Sequence, residues 1–121
     1  METKIKFTQW QIEDILFKDM VKSKEVSNVA HLIQIQPHYE NSEITGINVT
    51  ARQKAAPDKE SKIAFNINQI ESLMFKEMVQ SREVSSAQHY IKIDFNIDNK
   101  LTILSLDVTT KELDKSLKTK S

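Results

Sequence analysis

Polar and apolar residues alternate at the start of the chain, switch to helical spacing, and return to alternation; the whole cycle occurs twice. "KIKF" (Lys4 to Phe7) and "KIAF" (Lys62 to Phe65) alternate as short strands do. After them Ile12, Ile15, Leu16 and Met20 fall at i, i+3, i+4 and i+8, mirrored by Ile70, Leu73, Met74 and Met78. That spacing predicts one apolar helical face in each cycle. Thr8 and Asn66 stand at the helix starts as N-caps, with Gln11 and Gln69 three positions on, which predicts two capping boxes. Phe7 with Ile12, and Phe65 with Ile70, occupy the positions of a hydrophobic staple. The helices are expected to end near Lys24 and Arg82. Alternation then resumes in "HLIQIQ" (from His31) and "HYIKIDFNID" (from His89). The closing strands carry Ile47, Val49 and Ala51, then Leu104, Leu106 and Val108.

The two cycles share words as well as pattern. At an offset of 58, "IEDILFKDMVKSKEVSNVAHLIQI" (Ile12 to Ile35) lies over "IESLMFKEMVQSREVSSAQHYIKI" (Ile70 to Ile93), with 13 of 24 positions identical. Downstream the match survives with a one-residue shift, "INVTA" at Ile47 against "LDVTT" at Leu106. These features predict a single domain over 1–121, an internally duplicated β-α-β-β unit with repeats at 4–54 and 62–112. They are joined by a linker at 55–61 and followed by a polar tail at 111–121. Two copies are too few for a solenoid, so the halves are expected to share one core about a pseudo-twofold axis. Six strands and two helices give the α+β class, either as an open sheet with helices on one side or as a six-stranded pseudobarrel. "DNK" reads as a tight turn and "PHYENSE" as a longer connection; Gly46 marks an expected bulge or bend.

Composition narrows the chemistry. No cysteine is present, which excludes disulfides, thiol nucleophiles and thiolate metal sites. Gly46 is the only glycine, so neither G-x-x-x-x-G-K-[ST] nor G-x-G-x-x-G exists and no nucleotide cofactor is expected. Seventeen basic residues balance 17 acidic ones, arguing against a DNA mimic or a basic tail while leaving room for a local basic patch. With neither an apolar leader nor a run of membrane-spanning length, the expectation is a cytoplasmic protein without membrane contact.

His31 and His89 are equivalent positions, and with Glu25 and Glu83 they could be imagined as a metal site. Zinc needs three or four ligands and no H-x-x-x-H pair occurs, so a strand-end histidine bonded to a backbone carbonyl is the expectation, with no metal and no cofactor. Glu13 and Glu71 lie within the wide apolar arc of their helices, where burial would raise their pKa values. No paired carboxylate accompanies them, and the serines have no histidine at a spacing that suggests a triad, so no enzyme is expected. Two binding surfaces remain. Lys22, Lys24, Arg52, Lys54, Arg82 and Lys92 are candidate phosphate contacts, with Trp10, Tyr39 or Tyr90 available to stack on bases. Trp10, Phe17 and Val21 form a second apolar stripe at i, i+7 and i+11 that either packs inside or meets a protein partner, including a second copy.

In its size, its Lys/Ile/Asn/Glu-rich, glycine-poor composition and the strand–helix–strand order beginning at "KIKFTQW", the chain resembles the small regulators of enterococcal pheromone-responsive conjugative plasmids, the PrgU-like family. The resemblance implies a PUA-like pseudobarrel and a role in restraining expression of plasmid transfer or adhesin genes, by binding RNA in preference to DNA. A protein-interaction module or homodimer built on the helix 1 stripe is the alternative.

Overall fold

The computed structural model describes residues 2–87, 89–99 and 101–113. Its elements are β1 (Glu2–Thr8), α1 (Gln9–Lys22), β2 (His31–Glu40), β3 (Glu43–Gln53), β4 (Glu60–Asn66), α2 (Ile67–Gln80), β5 (His89–Asp98) and β6 (Thr102–Glu112). Strand, helix, strand and strand measure 7, 14, 10 and 11 residues in the first round and the same in the second. The class is α+β. The helices stop at Lys22 and Gln80, two residues short of the expected ends. β4 begins at Glu60, inside the expected linker, and Lys111 and Glu112 of the expected tail belong to β6. The rest of that tail, from 114, lies outside the described residues.

The strands divide into two three-stranded antiparallel sheets, ordered β1-β6-β5 and β2-β3-β4. This corrects both single-sheet expectations: among the described residues the strands do not share one open sheet, and no sheet closes into a pseudobarrel. The helices supply the reason. A 14-residue helix carries the chain about 21 Å. α1 thus lies against β1 and β6 of one sheet and delivers β2 to the other, and α2 packs on β3 and β4 before delivering β5. β1 therefore bonds to β6, from the far end of the chain, and β4 to β3.

Both capping boxes form. Gln11 N–H donates to Thr8 Oγ1 (3.3 Å) while Thr8 N–H donates to Gln11 Oε1 (2.9 Å). Asn66 and Gln69 repeat the exchange at 2.9 and 2.8 Å. Each cap contributes about 1 kcal/mol. The helix exits explain the repeated phrase "FKxMVxSxEVS". Lys24 N–H donates to Val21 O (3.0 Å) and Glu25 N–H to Met20 O (2.9 Å); Arg82 and Glu83 do the same to Val79 O and Met78 O. This is the double bond of a Schellman motif, which needs a left-handed residue after the cap. Lys24 (φ 64°) and Arg82 (φ 60°) fill that position, where glycine is usual.

The hairpins reverse the expected loop lengths. β2 continues through Pro37 to Glu40, and only Asn41 and Ser42, both at positive φ, make the first turn, as a two-residue hairpin turn requires. β5 ends at Asp98 and β6 begins at Thr102, one residue further apart than Glu40 and Glu43, and this accounts for the one-residue slip of the repeat. Pro37 is tolerated because β2 is an edge strand. Both hairpins are bulged: the register skips Thr45 opposite His38 and Tyr39, and Leu104 opposite Asn96 and Ile97. The second skip corrects the expected inward stripe of β6. It inverts the alternation, so Ile103 is buried and Leu104 is 52% exposed.

Ile12, Leu16 and Met20 of α1 and Ile70, Met74 and Met78 of α2 join Ile47, Val49, Leu106 and Val108 of the two central strands in one core. The staple residues Phe7 and Phe65 are buried beside them.

Candidate interaction face

The apolar stripe of α1 divides in the structure. Phe17 and Val21 are half-buried against the core, whereas Trp10 stands 72% exposed. Trp10, Glu13, Asp14 and Phe17 of α1 and His31, Leu32 and Ile33 of β2 line an open cavity of about 300 Å³. One wall is thus a helix face and the other the free edge of a sheet. Leu32, 56% exposed, points away from the core as its place in the strand alternation dictates.

His31 anchors the floor. Its Nδ1 lies 2.6 Å from Val29 O, so Nδ1 carries the proton and donates to that carbonyl. The ring packs on Phe17 with centroids 5.1 Å apart and a 50° tilt. His89 repeats both contacts, on Ala87 O at 2.6 Å and on Phe75 at 5.0 Å and 51°. The strand-end histidines are bonded to backbone carbonyls as the sequence suggests. Among the described residues, no three histidine or carboxylate side chains cluster as a metal ion would need. Glu25 accepts instead from Ser23 Oγ at 2.7 Å.

The groove is acidic. Burial pushes the Glu13 carboxyl above the usual carboxylate range. Asp14 is bound by Lys18 at 2.9 Å, which raises the lysine. At the place of Trp10, α2 has Asn68, exposed. The Phe–His pair therefore recurs in both halves, and the tryptophan occurs in one.

The six candidate basic residues are spread over both sheets and both helix exits. Arg52, on β3, donates to Glu60 Oε2 through Nη2 (2.8 Å) and Nε (3.3 Å), and this holds the Glu60 carboxyl low. Lys92, on β5 of the other sheet, faces Asp94 at 4.0 Å. Lys54 follows β3, its N–H donating to Ala30 O at 3.0 Å. Lys24 and Arg82 hold the left-handed positions of the helix exits. Lys22 gains a basic neighbour: Lys76 of α2 lines the same surface hollow, and the like charge of Lys22 holds the Lys76 amine below the ordinary lysine range.

Leu32 and Lys76 are the residues that sequence reasoning missed. Leu32 was legible as the outward apolar position of an alternating strand; nothing in the sequence pairs Lys76 with Lys22. Among the described residues, no helix is long and apolar enough to cross a membrane. Compared with protein-family models, curated proteins and solved structures, the chain matches none.

Proposed function

We propose that the chain is a non-catalytic interaction module whose groove between α1 and β2 takes an apolar segment of a protein partner flanked by basic residues. The observation that carries this reading is the exposure of Trp10 beside Leu32, over a half-buried Phe17. Tryptophan is the side chain most concentrated at binding hot spots, and leaving its ring in water forgoes a large apolar burial. The carboxylates of Glu13 and Asp14 at the rim favour a basic flank.

Trp10 is the only tryptophan, so its emission reports directly on this groove. Phage-displayed peptides panned on the protein and depleted on Trp10→Ala are expected to converge on an apolar residue next to Lys or Arg. Those peptides should shift Trp10 emission to the blue and lose at least about tenfold in affinity for Trp10→Ala, about a 1.4 kcal/mol effect. Peptides that bind wild type and Trp10→Ala alike would sink the reading.

A nucleic-acid reading has one specific observation in its favour, the Lys22–Lys76 pair, whose mutual repulsion an anion would relieve. It is the role that resemblance to the PrgU-like regulators implies, a protein that binds RNA to restrain expression from a mobile element. On this reading, single-stranded RNA binds in a salt-dependent way. Replacing both lysines by Ala lowers the slope of log K against log[salt] by about 1.4, because two phosphate contacts are lost. Fluorescence anisotropy at several salt concentrations reads that slope, and an unchanged slope removes these lysines from any RNA surface.

We also infer that the chain descends from one duplicated strand–helix–strand–strand unit. The 13 identities in 24 positions and the equal element lengths support this.

A further inference from the structure

Each sheet has two edges, and the four edge strands differ in how they could receive another strand. β1 places Lys4 and Lys6 on its outer face. Paired antiparallel with a copy of itself about Ile5, it would set Lys4 against Lys6 and repel. β2 contains Pro37, which cannot donate to a ladder. β4 is only seven residues long and brings no opposite charges together in self-pairing about Ile63.

β5 is different. It offers a ten-residue edge without proline. Its inward residues Ile91, Ile93, Phe95 and Ile97 are all half-buried, whereas Ile35 and Pro37 of β2 are covered. In an antiparallel self-pairing the partners must lie on the same face, so the twofold axis passes through a residue. With the axis through Ile93, residue 93 faces its own copy, Ile91 faces Phe95, and Lys92 faces Asp94 twice over. Moving the axis to Lys92 or Asp94 places like charges opposite each other.

We propose that β5 pairs with β5 of a second copy about a twofold axis through Ile93, joining two three-stranded sheets into one of six strands. The interface is isologous, as a twofold dimer requires. The aliphatic–aromatic pairs Ile91–Phe95 cover the part of the inner face that the monomer leaves half-exposed, and the two Lys92–Asp94 pairs set the register. The Lys92–Asp94 contact within one strand, at 4.0 Å, is exchanged for two contacts between strands. This surface lies on the sheet opposite to the one that forms the α1–β2 groove, so it stands or falls independently of partner binding there.

Sedimentation velocity of the full chain over a dilution series tests it. The expected result is a mass that rises toward twice 14.0 kDa with concentration. Asp94→Lys, at an exposed position, is expected to raise the dimer Kd at least about tenfold by setting Lys92 of each copy against a second lysine. Lys92→Asp is expected to do the same by setting two aspartates against each other. The double exchange, Lys92→Asp with Asp94→Lys, restores opposite charges only if residue 92 faces residue 94, and is expected to return the Kd to near the wild-type value. A monomer at all concentrations up to about 100 μM overturns the proposal. So does a dimer that the single variants leave unchanged, or one that the double exchange fails to rescue.

Discussion

Gly46→Ser is expected to lower the melting temperature by roughly 10 °C, the signature of about 3 kcal/mol lost in a domain of this size. Gly46 pairs with Asn66 in the β3–β4 ladder, next to the bulge at Thr45. A Cβ there would overlap the carbonyl oxygen of Phe65, a backbone atom that no rotamer change can move. Removing a glycine also stiffens the unfolded chain, which by itself would favour folding by about 0.4–1 kcal/mol. The clash has to outweigh that gain, and a backbone overlap beside the buried Phe65 does. The substitution is informative because Ser105 holds the matching place in the second round: it pairs with Thr8 and accepts from Asn96 Nδ2 at 2.7 Å. Gly46→Ser therefore copies one half into the other. Thermal melts by circular dichroism decide the matter, with Ser105→Ala as a control expected to cost about 1 kcal/mol for its lost hydrogen bond. An unchanged midpoint for Gly46→Ser would mean that β3 and β4 can separate at this point without penalty.

The parts of this fold legible in the sequence are the local ones. Thr8 with Gln11, and Asn66 with Gln69, announce two helix starts because a capping box spans one short stretch of chain and needs nothing from the rest of it. The inner helix faces are equally plain, since Ile12, Leu16 and Met20 recur at helical spacing and are all buried. What was not legible depends on pairing between distant segments. Alternation in β1 says that one face is covered, but not that its partner is β6, at the other end of the chain. The loop lengths were misread because a proline and its polar neighbours in "PHYENSE" resemble a loop, while edge position makes Pro37 acceptable in a strand. The inversion at Leu104 follows from a bulge that recurs at Thr45 of the first hairpin and that alternation alone does not reveal. The candidate interaction face was half-visible: Trp10 and Phe17 were marked by spacing, and their division into an exposed and a packed residue required the position of β2. Lys24 and Arg82 stand out in the sequence by their charge, and their backbone role at the helix exits is hidden because lysine and arginine stand where glycine is usual.

Separated halves of the chain, residues 1–56 and 57–121, are each expected to lack a cooperative melt, and an equimolar mixture is expected to regain one. In residues 1–56, β1 has lost β6 and β3 has lost β4, so both seven-residue ladders that cross between halves are gone. The β2–β3 hairpin keeps its own ladder, but an isolated hairpin is marginal in water. α1 would turn Ile12, Leu16 and Met20 toward a sheet from which β6 is missing. A fragment of about 56 residues already buries too small a share of its surface for comfortable stability, and this one forfeits half its pairing. When the halves meet, the exchanged strands bind each fragment to the other, and the linker then matters only for the concentration at which they assemble. Circular dichroism melts of each fragment and of the mixture, with sedimentation to establish mass, measure this. A half that folds as a monomer overturns the interdependence. A half that folds only by pairing with its own copy upholds it, and does so for a specific reason. Ile5 and Phe7 of β1 hold the places that Ile63 and Phe65 hold in β4, so β1 of one copy can lie on β3 of the other as β4 does in the intact chain.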